Sequence, residues 1–157
     1  MYEKAFVYRD GQFPDPQIEP VRYDPCFFRA ELELESDAFY ELRRVNGIKP
    51  ARLTQSTPEE IDKIGIFFLE NRNTFYFLFH PSGELIGSIL HINNYIQSLC
   101  ISSGYRRQGY GEKLAKYCIN AILKAGFARV ELKILEGNSG AERLYKKLGF
   151  EEITYPS

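Results

Sequence analysis

The residues of this chain best suited to chemistry are Tyr105-Arg106-Arg107-Gln108-Gly109-Tyr110-Gly111. An apolar strand pattern, Ile96 to Ile101, runs into this basic, glycine-bearing turn. A helix pattern leaves it, with Leu114, Ala115, Cys118, Ile119, Ile122 and Leu123 on one face. Strand, glycine turn and helix start make an anion cradle. Glycines let the backbone come close to a ligand. The unpaired amides of a first helical turn point at that ligand, and the helix dipole favours negative charge there. Two arginines add fixed charge and planar donors suited to phosphate. Taken singly, Arg106 and Arg107 read as solvated helix-entry charges, and Gly109 and Gly111 as close-packing residues. Yet two glycines near a helix start weaken it by about 1 kcal/mol each, which ligand approach explains better. A diphosphate-bearing ligand is the expectation.

Two common phosphate binders do not fit. A mononucleotide P-loop places Lys-Ser or Lys-Thr after its last glycine, whereas Gly111 is followed by Glu112-Lys113-Leu114. A dinucleotide fingerprint needs a third glycine where Leu114 stands. The order R-x-x-G-x-G, carried by Arg106, Gly109 and Gly111, instead resembles the acyl-CoA cradle of the GNAT superfamily of N-acyltransferases. A second motif follows one helix and one strand later. Asn138, Ala141, Leu144-Tyr145 and Leu148-Gly149-Phe150 match that superfamily's N-x-x-A-x-x-L-Y-x-x-x-G-F. The resemblance covers Phe75 to Phe150, about half the chain.

The resemblance implies an acetyl-CoA-dependent N-acetyltransferase. The acetyl group would pass to a primary amine, of a small molecule or a peptide, by direct attack in a ternary complex. It also implies that the strand before the cradle splays from its neighbour, with the pantetheine arm lying in the cleft. Backbone groups of Leu99 and Ile101 would pair with that arm, and the Ile101 amide would polarise the thioester carbonyl, in the manner of an oxyanion hole. Amides from Arg107 through Gln108, Gly109, Tyr110 and Gly111 to Glu112, beside the Arg106 side chain, would hold the pyrophosphate. Asn138 reads as a helix N-cap, and by resemblance it also contacts the arm. Tyr145 is the catalytic candidate: a phenol can protonate the departing sulfur. Packing of its ring alone is the other reading, as it is for the side chains of Leu99 and Ile101.

A proton acceptor is harder to find. Many GNAT enzymes use a glutamate on the strand leading to the cradle, but Tyr95 through Ile101 contain none; Tyr95, Gln97 and Ser98 are the polar side chains there. His91 can titrate near neutrality or be structural. Glu31, Glu33 and Glu35 alternate with Leu32 and Leu34 and are expected to mark a solvated face. A CoA-binding regulatory module without turnover is the rival reading, and a fold kept for packing alone is the third.

The remaining sequence supplies the frame. With 157 residues the chain reads as one domain, residues 1–157, whose acyl-CoA-binding core spans about 75–150. It can bury about two-thirds of its unfolded surface. A net charge of −1 gives no field to draw in nucleic acid or anionic membrane. No apolar run of membrane-spanning length or secretory segment is seen. Three cysteines, Cys26, Cys100 and Cys118, point to a reducing cytoplasm rather than a disulfide framework. Two histidines apart from any cysteine cluster give no support for a metal site.

Strands are expected at Ala5–Arg9, Val21–Tyr23, Phe75–Phe79, Glu84–Ile92, Ile96–Ile101, Ala128–Leu135 and Glu151–Tyr155. One helix opens at Asp24-Pro25 and reaches Arg43 or Arg44, with a break near Ser36. Thr57-Pro58-Glu59-Glu60 caps a second, which carries Ile61, Ile64, Phe67 and Phe68 inward. The fold class is α+β, a mixed, mostly antiparallel sheet with helices on both faces. Family members continue past the Gly-Phe pair into a two-strand hairpin, for which Glu151 to Ser157 leave room for one strand. Its free edge would pair with Ala5–Arg9 of the same chain, or with a second copy as a homodimer.

Overall fold

The computed structural model describes residues 3–154. In chain order its elements are β1 (Glu3–Tyr8), β2 (Val21–Arg22), α1 (Phe28–Ala38), α2 (Tyr40–Val45), α3 (Pro58–Glu70), β3 (Phe75–Phe79), β4 (Leu85–Ile92), β5 (Tyr95–Ile101), α4 (Tyr110–Lys124), β6 (Val130–Leu135), α5 (Ser139–Leu148) and β7 (Glu151–Glu152). The strands form one sheet in the order β2-β3-β4-β5-β6-β1-β7. Every described pair is antiparallel except β5 with β6.

Alternation along β3 explains the two layers. Phe75 and Phe77 enter an aromatic cluster with Tyr23, Phe68 and Leu90, while Tyr76 and Leu78 face Leu114, Ala115, Cys118, Ile119 and Ile122 of α4. A period of two thus sends consecutive side chains to opposite faces, with α1 and α3 on one and α4 and α5 on the other. The buried face of α4 is the one its periodicity marks, except that Leu123 is only half-buried. Asn120, the polar member of that face, is satisfied: its Oδ1 accepts from the Phe13 amide at 2.7 Å and its Nδ2 donates to the Phe13 carbonyl at 3.0 Å. This pins the proline-rich segment across the helix.

Three expectations shift. The long amino-terminal helix breaks at Phe39, which ends α1 and precedes α2, rather than at Ser36. The Ser36 hydroxyl lies 3.3 Å from Thr54 Oγ1 and does not compete with the helical ladder. α3 starts with the expected capping box of Thr57 and Glu60, but of its four inward apolar residues only Phe68 is fully buried. Ile61, Ile64 and Phe67 are half-buried, and Ile64 and Phe67 line an open cavity beside α3. The last strand spans Glu151–Glu152; Tyr155, expected in it, lies outside the described residues.

β1 answers the question of the sheet edge. It runs antiparallel to both β6 and β7, with Phe6 opposite Leu132 on one side and Glu152 on the other. The Ile153 amide extends the pairing to the Ala5 carbonyl at 2.8 Å. The same chain therefore satisfies the β7 edge that faces β1, and no second copy is needed there.

Candidate active site

The site begins with an irregularity. Leu90 lies opposite Ser98 and His91 opposite Ile96, so Gln97 is an extra residue in β5. Such a bulge bends its strand and increases its twist. β5 and β6 pair only at Tyr95 with Glu131 and Ile96 with Leu132, and beyond the bulge they part. The gap is a cleft of about 770 Å³. Except for Gln108, every residue expected to bind the cofactor or act on it borders this cleft. Gln108 instead turns its Nε2 to the Gly104 carbonyl, 3.2 Å away.

Strand register decides which backbone groups face the gap. In an antiparallel ladder, successive residues direct amide and carbonyl to opposite sides. Ser102 donates its amide to the Ile86 carbonyl, and Cys100 lies opposite Ser88, so these residues face β4. Leu99 and Ile101 therefore direct theirs the other way, toward the side that β6 has left. Arg106 fits this orientation: its Nε donates to the Ile101 carbonyl at 3.1 Å.

At the cradle, Gly109 is the N-cap of α4, with φ +85° and no side-chain cap. The first-turn amides of Tyr110, Gly111 and Glu112 thus lack an intrahelical partner, and all three residues border the cleft. Arg107 is also left-handed, with φ +61°. Gly109 needs its glycine for that backbone angle. Gly111 does not: a Cβ there would sit 3.7 Å from Ile101 Cγ1 and 3.8 Å from Leu144 Cδ2, ordinary contacts. Glu112 ties the cradle helix to α5 through Lys147 at 2.9 Å and to Lys116 at 3.1 Å. These two bonds hold its carboxyl below the usual range.

Tyr145 lies in the wall of the cleft, 5% exposed, with its ring edge-on to Phe150 at 5.2 Å. Burial pushes its phenol well above the ordinary value, and the Cys118 and Cys100 thiols add to the shift. It therefore keeps its proton at working pH and is available as a donor. Asn138 performs its capping role, Oδ1 accepting from the Ala141 amide at 3.2 Å, and it too borders the cleft.

His91 is not at the cleft. Its Nδ1 lies 2.9 Å from the Asn93 carbonyl, its ring stacks on Tyr76, and burial lowers its pKa. The glutamates of α1 correct the sequence reading. Only Glu33 is solvated, paired with Arg29 at 3.0 Å. Glu31 and Glu35 are four residues apart on a helix, which places them on one face, and that face is turned inward. Glu31 is 0% exposed and its Oε1 accepts from Ser88 Oγ at 2.6 Å. The Oε2 atoms of both glutamates are sealed from solvent without a hydrogen-bond donor. Burial raises the Glu31 carboxyl well above its ordinary value, and Glu35 raises it further. Burial raises Glu35 as well. Burial and mutual repulsion thus favour protonation of the pair over ionisation of both carboxyls. Helical spacing was the signal for this pair; reading 31, 33 and 35 with a period of two hid it.

The acetyltransferase (GNAT) family model matches residues 25–150. Thialysine N-epsilon-acetyltransferase of Bos taurus is 34% identical over 62 residues, 40% of this chain and 36% of that protein. [Ribosomal protein bS18]-alanine N-acetyltransferase of Escherichia coli (strain K12) is 35% identical over 57 residues, 36% of this chain and 38% of that protein. A solved GCN5-related N-acetyltransferase from Sphaerobacter thermophilus superposes with a TM-score of 0.72 at 21% identity, covering 96% of this chain and 48% of that one. This chain thus spans about half or less of the length of those relatives. A structure titled putative acetyltransferase, from Agrobacterium tumefaciens, gives a TM-score of 0.60 at 17% identity and covers 89% of this chain and 97% of that one. At such identities the structures speak for a shared fold.

Proposed function

This chain belongs to the GNAT acetyltransferase family, and on that premise we propose that it transfers an acetyl group from acetyl-CoA to a primary amine, by direct attack in a ternary complex. The observation that carries the proposal is the cleft between β5 and β6, with a capless helix start and two arginines at one part of its wall and Tyr145 at another. The residues fit the co-substrate. Unpaired first-turn amides and arginines suit a pyrophosphate, and the outward-facing backbone of Leu99 and Ile101 suits an amide-bearing arm.

Each group then has a task. The Ile101 amide is a fixed donor for the charge that develops on the thioester oxygen, a contribution of about 3 kcal/mol to barrier lowering in comparable sites. Tyr145 gives its proton to the departing sulfur. The acceptor is a small-molecule or peptide amine, and the donor is acetyl-CoA without a metal. No helix among the described residues is long and apolar enough to cross a membrane. A cytoplasmic setting, where acetyl-CoA is made and thiols stay reduced, suits the free Cys26, Cys100 and Cys118. Thermal melting with and without acetyl-CoA tests donor binding, and amine-dependent thiol release tests turnover. Binding without release under any amine would leave a CoA-binding module.

A further inference from the structure

A second cavity, of about 340 Å³, adjoins the cleft. Phe39, Leu42 and Leu135 line both, so these three side chains stand between them. The wall of the second cavity is otherwise apolar, including Ile64, Phe67 and Phe68, with two exceptions. One is Arg43, whose Nε is engaged by the Pro50 carbonyl at 2.9 Å. The other is Glu35. As a residue Glu35 is half-buried, yet its Oε2 is sealed and without a donor, like that of the fully buried Glu31 beside it. No ion pair among the described residues neutralises either carboxyl. A buried carboxylate without a cation is costly, and Glu35 borders the cavity with only its Oε2 sealed, so an ammonium seated there lies beside its carboxyl.

The pair also lies near the reacting strand. Ser88, which bonds Glu31, is opposite Cys100, the residue between Leu99 and Ile101. Burial, followed by the Glu35 and Glu31 carboxyls, raises the Cys100 thiol well above its ordinary value. The carboxyls thus lie close to the strand whose outward backbone was assigned to the thioester.

We propose that this cavity is the acceptor subsite, that it selects a primary amine carried on a compact apolar body, and that the Glu31–Glu35 pair takes the amine's proton. The inference rests on the acetyltransfer proposed above. The bound ammonium gives one proton to the ionised carboxylate of the pair. The free nitrogen bonds the thioester carbon, and the carbon–sulfur bond breaks. Sulfur leaves with the Tyr145 proton, and the surplus proton on the new amide nitrogen restores the phenol. The proton taken from the ammonium then leaves the pair for solvent, which restores the starting carboxylate. Phe39, Leu42 and Leu135 are the partition across which the amine reaches the cleft. A polyamine fits poorly, because its second cation would meet apolar wall.

The test uses the full chain, acetyl-CoA, phenethylamine as apolar probe and spermidine as polycationic probe. Wild type should release thiol with phenethylamine in preference to spermidine. Glu35→Gln should lower kcat/KM for phenethylamine by about 100-fold or more, the usual span for a lost acid–base group, while its melting shift with acetyl-CoA stays at the wild-type value. Ile64→Trp, which fills the cavity and leaves both carboxyls, should lose phenethylamine turnover and keep the same shift. Preference for spermidine, no turnover of phenethylamine, or wild-type turnover in either variant overturns the subsite. Absence of any acetyl-CoA shift in wild type strikes the acetyltransfer reading itself.

Discussion

Ser88 on β4 donates a 2.6 Å hydrogen bond to Glu31 on α1 and satisfies one of its two carboxyl oxygens. The other oxygen, together with Glu35 Oε2, has no donor. A helix is thereby joined to β4, the neighbour of the cleft strand β5, through a group that ordinarily prefers water. The arrangement has consequences for stability and for chemistry.

Stability should respond to pH with a sign that identifies the pair. Both carboxyls have folded pKa values raised by burial. Between the ordinary carboxylate range and those raised values, the folded protein holds a proton that the unfolded chain has released. The contribution is full below the ordinary range and is lost as pH rises through the window, by about 1.4 kcal/mol per pH unit for each proton. Surface carboxyls such as Glu112, whose pKa is lowered by Lys147 and Lys116, act with the opposite sign. They cancel when wild type is compared with Glu31→Gln. Urea unfolding from mildly acidic to neutral pH should show the variant gaining on wild type as pH rises. A pH-independent difference would mean that the pair titrates alike in both states.

Gly111→Val tests the cradle without loading the fold. The contacts of an added Cβ are ordinary ones, and valine is no poorer a helix residue than glycine, so the apo protein should melt close to wild type. Wild type at 100 times the dissociation constant of acetyl-CoA should gain about 2.7 kcal/mol, and the variant should gain nothing measurable. Gly109→Val is the weaker test, because φ +85° at that position strains any branched side chain. An undiminished acetyl-CoA shift in Gly111→Val would place the pyrophosphate elsewhere.

Tyr145→Phe keeps the ring and removes the hydroxyl. Packing against Phe150 is retained, so fold and acetyl-CoA shift should be unchanged. A thiolate leaving group departs in part unaided, since a free thiol has a pKa of about 8.5. Turnover should fall about 10- to 1,000-fold, toward the lower end, and the loss should shrink with a more acidic acyl-donor thiol. Unchanged turnover would leave Tyr145 as core alone.

Much of this was legible because local patterns carried it. The apolar run Phe75 to Phe79 told of a strand, and Thr57 with Glu60 marked the start of α3. Arg106, Gly109 and Gly111 lay between a strand and a helix and were found at the cleft. What escaped depends on contacts between distant segments. The slot of β1 between β6 and β7 is set by pairing of Phe6 with Leu132 and Glu152, which no local pattern announces. Gly87 is needed because a Cβ would meet the Cys100 carbonyl and Ile101 Cδ1 at 2.6 Å, a constraint visible only once β4 and β5 are paired. Glu31 and Glu35 were open to view by helical spacing, but their burial depends on Ser88, 57 residues away.

The most direct test is transfer itself, followed with acetyl-CoA carrying an isotopic label in the acetyl group and a panel of primary amines, with products identified by mass. The expected result is an amine that gains one labelled acetyl group in step with thiol release, at a rate that depends on the Tyr145 hydroxyl. Acetyl-CoA that binds in the cleft and is returned intact in the presence of every amine would contradict it.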